Sequence, residues 1–354
     1  MKKQATNDNL HTFSIDLESA QSGQSMSNTV ALANGIKFEV NSDQTILEAA
    51  RTQHIALEHS CRTGRCGVCK AKVTTGETEA LNPEESLTDA EKTEGVVLTC
   101  CRSAISDVEL DIEDLGELGN IETKTVPCRI DDLHKLAPDV VEVVLRTPPT
   151  SRIDYLPGQY VDMIGKAGLR RSYSIANAPR EDGKLTLQIR KVENGEMSHY
   201  WFNEAKPNDL LRLEGPLGTF CLRKTKATRL VFLATGTGIA PVKAILEQLA
   251  SSPDINTYSQ IDVYWGGRTE PDLYWEPIFS NLNLHYTPVL SRSPEWAGVK
   301  GYIQDALLTS DVDFENMVVY ACGSEAMISS AHEALTTAGL AENQFHSDAF
   351  VSSN

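Results

Sequence analysis

The sequence predicts three consecutive folding units: a small α+β unit, an antiparallel β-barrel, and an α/β unit built on a parallel sheet. Three observations carry this. Five of the eight cysteines crowd between positions 61 and 101, short β-rich runs broken by Gly and Pro fill residues 121–224, and buried strands alternate with helices after Thr225. At about 150 residues per domain, 354 residues leave room for two or three. Hydrophobic residues make up 41% and charged residues 23%, ordinary globular usage that excludes a collagen-like, coiled-coil or wholly disordered chain. Lys plus Arg number 32 against 49 Asp plus Glu. The resulting net charge of −17 speaks against nucleic acid or an anionic membrane as partner. Apolar stretches fall well short of the roughly 18 residues that a membrane span needs. The chain opens Met1-Lys2-Lys3 but continues polar, so no secretory signal is expected and a cytoplasmic location is predicted.

Residues 1–28 are polar and aperiodic and read as a disordered leader, with Met26 an alternative start. The first unit spans 29–118 and opens with a strand at 29–33. Its 17 acidic and 8 basic residues give a net of −9, about half the total charge in a quarter of the chain. That asymmetry predicts a docking surface for a basic protein partner. The second unit, 119–224, has expected strands at 140–146, 159–164, 171–175, 184–192 and 210–214, the pattern of a small antiparallel barrel. In the third, 225–354, a strand at 230–234 leads through Gly-rich 236–238 to a helix at 241–250. Further strands at 260–265 and 318–321 and a helix at 324–338 predict a doubly wound parallel sheet.

Residues 61–69 read Cys-Arg-Thr-Gly-Arg-Cys-Gly-Val-Cys, a C-x4-C-x2-C spacing, and Leu98-Thr99-Cys100 supplies a distant fourth cysteine. This is the plant-type pattern of a [2Fe–2S] cluster. Three close thiolates let one loop wrap the cluster, and Gly64 and Gly67 let backbone N–H groups approach its sulfides. Zinc is the weaker reading, because it favours paired C-x2-C or Cys/His knuckles and no second pair is present. The segment 29–118 resembles plant-type ferredoxins, which implies an α+β ferredoxin-like β-grasp domain. By that resemblance the metal ligands are Cys61, Cys66, Cys69 and Cys100, with Cys101 a neighbour. The 30 residues between Cys69 and Cys100 slightly exceed the family's usual gap.

In the second unit, Gly158-Gln159-Tyr160 precedes Arg171-Ser172-Tyr173-Ser174. A guanidinium can fork onto a pyrophosphate, an aromatic ring can stack on an isoalloxazine, and a hydroxyl can bond to its N5 edge. These motifs resemble the flavin site of the ferredoxin–NADP reductase superfamily. The resemblance implies an antiparallel β-barrel FAD domain, with Tyr160, Arg171, Ser172, Tyr173 and Ser174 around the flavin. Gly195-Glu196-Met197-Ser198 resembles the second phosphate-contacting turn, through Ser198 and backbone amides. Gly215-Pro216-Leu217-Gly218-Thr219-Phe220 resembles the turn that closes the barrel, and Cys221 reads as a small buried residue.

Gly236-Thr237-Gly238-Ile239-Ala240-Pro241 sits between a strand and a helix, where glycines admit a pyrophosphate to the helix N-terminus. Pro241 suits the first helical position. The Pro departs from the Rossmann G-x-G-x-x-G and matches the reductase superfamily. That likeness implies an α/β parallel-sheet nicotinamide domain in which Cys322 and Gly323 flank the nicotinamide and Phe350 covers the flavin. Ser174 and Cys322 are thereby the residues expected at hydride transfer. A packed core cysteine is the plain alternative for Cys322. Ser291-Arg292 with Lys300 resembles a 2′-phosphate pocket, whereas Trp296, Gly298 and Gly301 are spaced as in NADH-using members. NADH is the expected donor, ahead of NADPH.

The order ferredoxin, flavin barrel, nicotinamide domain resembles the reductase components of multicomponent oxygenases and the CDP-6-deoxy-glucoseen reductase group. The likeness to that group rests on 171–179, Tyr264-Trp265-Gly266, and 339–343 leading into Ser347-Asp348-Ala349-Phe350. It implies an NADH-dependent oxidoreductase with FAD and [2Fe–2S] that supplies a pyridoxamine-phosphate-dependent sugar-nucleotide dehydrase. An oxygenase component is the alternative acceptor. A ferredoxin-like carrier without enzymatic activity is the rival of another class, opposed by the motifs at 171–174, 236–241 and 322–323.

Overall fold

The computed structural model describes residues 27–252, 258–310 and 312–350. The expected leader, with Met26, lies outside the described residues apart from Ser27 and Asn28, which already belong to the first strand. The first unit runs β1 (Ser27–Leu32), β2 (Lys37–Asn41), α1 (Ile46–Thr52), β3 (Lys70–Thr75), β4 (Thr78–Ala80), α2 (Asp89–Thr93), β5 (Val96–Leu98), β6 (Arg102–Ala104) and β7 (Val108–Leu110). Five strands form one mixed sheet in the order β2-β1-β7-β3-β5, with β1 and β7 parallel. Helix α1 buries Ile46, Leu47, Ala49 and Ala50 in the core of this unit. It starts where it does because Thr45 and Glu48 cap reciprocally. The Thr45 hydroxyl accepts from the Glu48 N–H at 3.2 Å and the Glu48 carboxylate accepts from the Thr45 N–H at 3.0 Å. Between α1 and β3 the chain forms the cysteine-bearing loop.

The second unit comprises β8 (Lys124–Ala137), β9 (Val140–Arg146), β10 (Tyr160–Ile164), β11 (Arg170–Ser174), β12 (Leu185–Arg190), α3 (Glu196–His199) and β13 (Leu210–Leu217). Its six strands lie in the antiparallel order β11-β10-β13-β8-β9-β12. The two outer strands meet where Ile175 bridges Leu187 and the Ala176 N–H donates to the Thr186 carbonyl at 2.7 Å. That contact closes the barrel and removes its open edges. Inward-facing Val143, Leu145, Val161, Met163, Leu187 and Leu213 fill it.

The third unit follows as β14 (Arg229–Thr235), α4 (Ile239–Ser251), β15 (Gln260–Gly267), β16 (Leu284–Leu290), β17 (Val299–Lys300), α5 (Ile303–Leu308), β18 (Met317–Ser324), α6 (Glu325–Ala338) and β19 (Phe345–Phe350). All six strands are parallel, in the order β17-β16-β15-β14-β18-β19. Strand β14 is apolar on both faces because both are covered. Leu230, Phe232 and Ala234 pack with Val242, Ile245 and Leu246 of α4, whereas Val231 and Leu233 pack with Ile303 of α5 and Ala331 of α6. The chain leaves β14 toward β15 on one side and returns to β18 on the other. The crevice at the carboxyl ends of β14 and β18 is therefore the topological switch point, where open α/β sheets bind ligands.

The barrel's entry turn is tight. Gly158 has φ +105°, and a Cβ there would collide with the Phe220 carbonyl oxygen. Gly158→Ala is expected to lower the thermal midpoint by about 4 °C or more, since left-handed strain and backbone overlap both oppose it. A melt followed by far-ultraviolet circular dichroism checks this, and an unchanged midpoint would contradict the packing described.

Candidate functional site

The loop after α1 gathers its thiols in two pairs. Cys69 Sγ lies 3.2 Å from Cys100 Sγ. Cys61 and Cys66 are joined twice: their thiols hydrogen-bond, and the Cys61 N–H donates to Cys66 Sγ at 3.5 Å. Hydrogen bonds from Cys66 and Cys69 draw the Cys61 and Cys100 thiols below the usual thiol range, against the opposing effect of burial. Two pairs suit a dinuclear cluster with two thiolates on each iron. Among the described residues no three His, Cys, Asp or Glu side chains gather as a single-ion site. Cys101 Sγ stands beside the second pair, 3.6 Å from Cys100 Sγ and 3.4 Å from the Pro83 carbonyl. Gly64 has φ +75°, and a Cβ there would collide with that same carbonyl, so the loop needs glycine for its close approach.

Strands β10 and β11 pair Tyr160 with Ser174 and Met163 with Arg171. The period-2 alternation of a strand therefore divides the Arg-Ser-Tyr-Ser run between two faces. Arg171 and Tyr173 share one, where the Trp201 indole N–H donates to the Tyr173 hydroxyl at 3.1 Å. Ser172 and Ser174 lie on the other, beside Asp162 and Tyr160, and the Ser172 hydroxyl donates to Asp162 at 2.6 Å. Tyr160 is buried, with its hydroxyl donating to the Ser60 carbonyl at 2.7 Å. The Ser198 hydroxyl accepts from the Val192 N–H at 2.9 Å and so braces its own turn. Beside that turn opens a cavity of about 960 Å³, lined in part by Lys166, Lys191, Gly195, Met197, Tyr200 and Arg212. Glu193, Glu196, Glu204 and Asp209 line it as well, and Lys166 pairs with Glu204 at 3.3 Å, so its wall is mixed in charge.

At the switch point, Gly236–Gly238 form one turn of 3₁₀ helix that runs into α4, so Pro241 is the third residue of the helix and not the first. The position still needs no N–H partner within the helix. A Cβ on Gly238 would strike the Cys322 carbonyl, and one on Gly323 (φ +149°) would strike the Thr235 hydroxyl. These two turns pack backbone to backbone because both glycines lack side chains. Cys322 is fully buried, its thiol pushed well up by burial. Phe350 ends β19 and is 37% exposed, free enough to cover a ligand.

The three sites meet. Ser60, next to Cys61, donates its hydroxyl to Asp348 on β19 at 2.5 Å, and Arg62 pairs with Asp162 of the barrel at 2.9 Å. Sequence reasoning missed Arg190, which was read only as part of a strand. It projects from β12 to the dinucleotide turn, where a Cβ on Gly236 would stand 3.5 Å from its NH1. Asp272 holds it there at 2.9 Å. An Arg at the end of a barrel strand was the available signal, but its meaning depends on packing between units.

Comparison with known proteins followed these positions. The model described as "2Fe-2S iron-sulfur cluster binding domain" matches residues 31–104, "Oxidoreductase FAD-binding domain" matches 127–221, and "Oxidoreductase NAD-binding domain" matches 232–333. The chain is 44% identical over 325 residues to the CDP-6-deoxy-L-threo-D-glycero-4-hexulose-3-dehydrase reductase of Yersinia pestis, covering 90% of this chain and 97% of that one. It is 31% identical over 324 residues to the terephthalate 1,2-dioxygenase reductase component 2 of Comamonas sp., covering 89% and 95%. The solved cytochrome P450 reductase GcoB of Amycolatopsis superposes with a TM-score of 0.71 at 25% identity, over 92% of this chain and 99% of that one.

Cys100→Ser is expected to lose most of the bound iron and inorganic sulfide, while Cys101→Ser retains both. The reverse result in metal and sulfide assays would overturn the ligand set. Arg190→Gln should raise the KM for the nicotinamide donor about tenfold with kcat nearly unchanged, as expected when a residue binds ground state and transition state alike. Steady-state kinetics with a small acceptor would show it.

Proposed function

The chain belongs to the family of reductases that join a [2Fe–2S] domain to FAD- and NAD-binding oxidoreductase domains, and from that premise we propose that it carries electrons from NADH to a pyridoxamine-phosphate-dependent sugar-nucleotide dehydrase. It is an NAD(P)H-dependent oxidoreductase. Bound FAD supplies the change from a two-electron hydride to single electrons, and the bound cluster supplies a one-electron carrier. The observation that carries the reading is the junction, where Ser60, the residue before Cys61, is hydrogen-bonded to both the flavin-barrel strand β10 and the nicotinamide-side strand β19.

The residues divide the work. Cys61, Cys66, Cys69 and Cys100 hold the cluster, and Arg171 and Tyr173 hold the flavin's phosphate and ring, with Ser174 at its reactive edge. The Gly236–Gly238 turn, the α4 N-terminus and Arg190 bind the donor's pyrophosphate, and Cys322 and Gly323 orient its nicotinamide. NADH is favoured over NADPH because Trp296, Gly298 and Gly301 are spaced as in NADH-using members of the superfamily this unit resembles. The dehydrase reading follows the likeness to the Yersinia reductase. The likeness to the terephthalate dioxygenase reductase supports an oxygenase component as the second reading. In either case the partner docks on the acidic face of the first unit, and long-range attraction steers a basic surface there.

With the purified holoenzyme, kcat/KM for NADH is expected to exceed that for NADPH by about tenfold or more. Cys100→Ser should still reduce ferricyanide, a small acceptor able to reach the flavin, but should fail with cytochrome c and with the protein partner. Transfer to cytochrome c should slow as ionic strength rises. Full cytochrome c reduction by the cluster-free variant would defeat the proposed route. Cys322→Ala should slow flavin reduction in stopped flow by up to about a hundredfold, because misplacement near 1 Å is that costly. Unchanged reduction would return Cys322 to a packing role.

A further inference from the structure

His59 and Ser60 stand immediately before the first cluster cysteine and are 7% and 5% exposed. The motif assigned neither a role, yet four of their polar groups cross to another unit and the His59 Nδ1 braces the turn beside the Leu57 carbonyl at 2.9 Å. The His59 N–H donates to the Thr219 hydroxyl, which donates back to the His59 carbonyl, both at 3.0 Å. Ser60 faces two ways. Its carbonyl accepts from the Tyr160 hydroxyl at 2.7 Å, and its own hydroxyl donates to Asp348 Oδ1 at 2.5 Å. The other carboxylate oxygen of Asp348 lies 4.0 Å from Cys322 Sγ. Cys322 and Asp348 are register partners on β18 and β19, so this link continues to the nicotinamide turn.

A side chain with one short donor is what this position requires. Alanine would leave a buried carboxylate facing an apolar wall, a costly state that opening of the junction would relieve. We infer that Ser60 is a positioning residue that fixes the cluster loop against the flavin and nicotinamide sites together, so that electron transfer from flavin to cluster depends on its hydroxyl far more steeply than hydride transfer does. In that step one electron leaves the reduced flavin and enters the oxidised cluster, and no covalent bond forms or breaks. The inference rests on the electron route proposed above.

The test uses full-length holoenzyme carrying Ser60→Ala or Ser60→Thr. Ser60→Ala should keep its flavin and cluster absorption and reduce ferricyanide within about twofold of the parent, but reduce cytochrome c about tenfold more slowly or worse. Amide hydrogen exchange over residues 57–67 should quicken. Ser60→Thr, which restores the hydroxyl, should recover both the cytochrome c rate and the protection. A parent-like cytochrome c rate in Ser60→Ala would overturn the inference. So would loss of the cluster, or a parallel fall of both rates, since either marks a purely structural residue. Failure of the route itself shows elsewhere, as cytochrome c reduction that survives in Cys100→Ser.

Discussion

A hydroxyl and a carboxylate meet, both buried, where the three units join. Burial, with the neighbouring Cys61 thiolate acting in the same direction, pushes the Asp348 carboxyl up to about 6, against the hydrogen bond from Ser60. Such a group is tolerated only with a partner, and its partner belongs to another unit. The junction is therefore self-specifying: the carboxylate is satisfied only when the cluster loop lies on β19. Tyr160 adds the same demand from the barrel, because its buried hydroxyl finds its acceptor in the Ser60 carbonyl. Relative placement of the units thus follows from polar groups that each unit cannot satisfy alone.

Backbone proximity is the second constraint. The parallel sheet offers a ligand crevice because β14 and β18 diverge in connection while lying side by side, and the two turns at their ends touch through Gly238 and Gly323. Any side chain there would force the turns apart and tilt Cys322 away from the dinucleotide turn. The same economy appears in the cluster loop, where Gly64 lets the Pro83 carbonyl approach. In both places the functional geometry is set by what the glycines omit.

Chemistry-bearing turns were legible in the sequence because their spacing is local. Cys61 to Cys69, Arg171 to Ser174 and Gly236 to Pro241 each fit within a few residues; the first precedes β3, the second lies in β11 and the third joins β14 to α4. Strands with clean patterns were also legible, as at 140–146, which matches β9 residue for residue. Long β8 escaped because its register shifts twice against β9 and its outer face is polar, which blurs the alternation. Strand β16 escaped because His285 and Pro288 interrupt its apolar run. Ser60, Arg190 and Asp348 were illegible for a different reason. Each is an ordinary polar residue whose role exists only across a contact between units far apart in sequence.

That division also explains the placement of charge. On the inner side of the first unit, charges are matched across the junction: Arg62 with Asp162, and Glu58 with Arg223 at 3.1 Å. The exposed Glu58 carboxyl is held below its usual range through His346 and Arg223, which outweigh its partial desolvation. The segment 74–94 on the same unit is different, because Glu77, Glu79, Asp89 and Glu94 are all exposed there. Residues 81–83 of that segment lie directly behind the cluster loop, with the Leu81 and Asn82 N–H groups donating to the Cys101 carbonyl and a Leu81 side chain 40% exposed. Matched charges on one side contribute little field at a distance, whereas the exposed carboxylates add. The outward potential of the unit is thus acidic on the side away from the junction, next to the cysteines. An acidic outward face of this kind attracts a basic surface at long range, whereas the matched charges at the junction hold the units together without adding to that field.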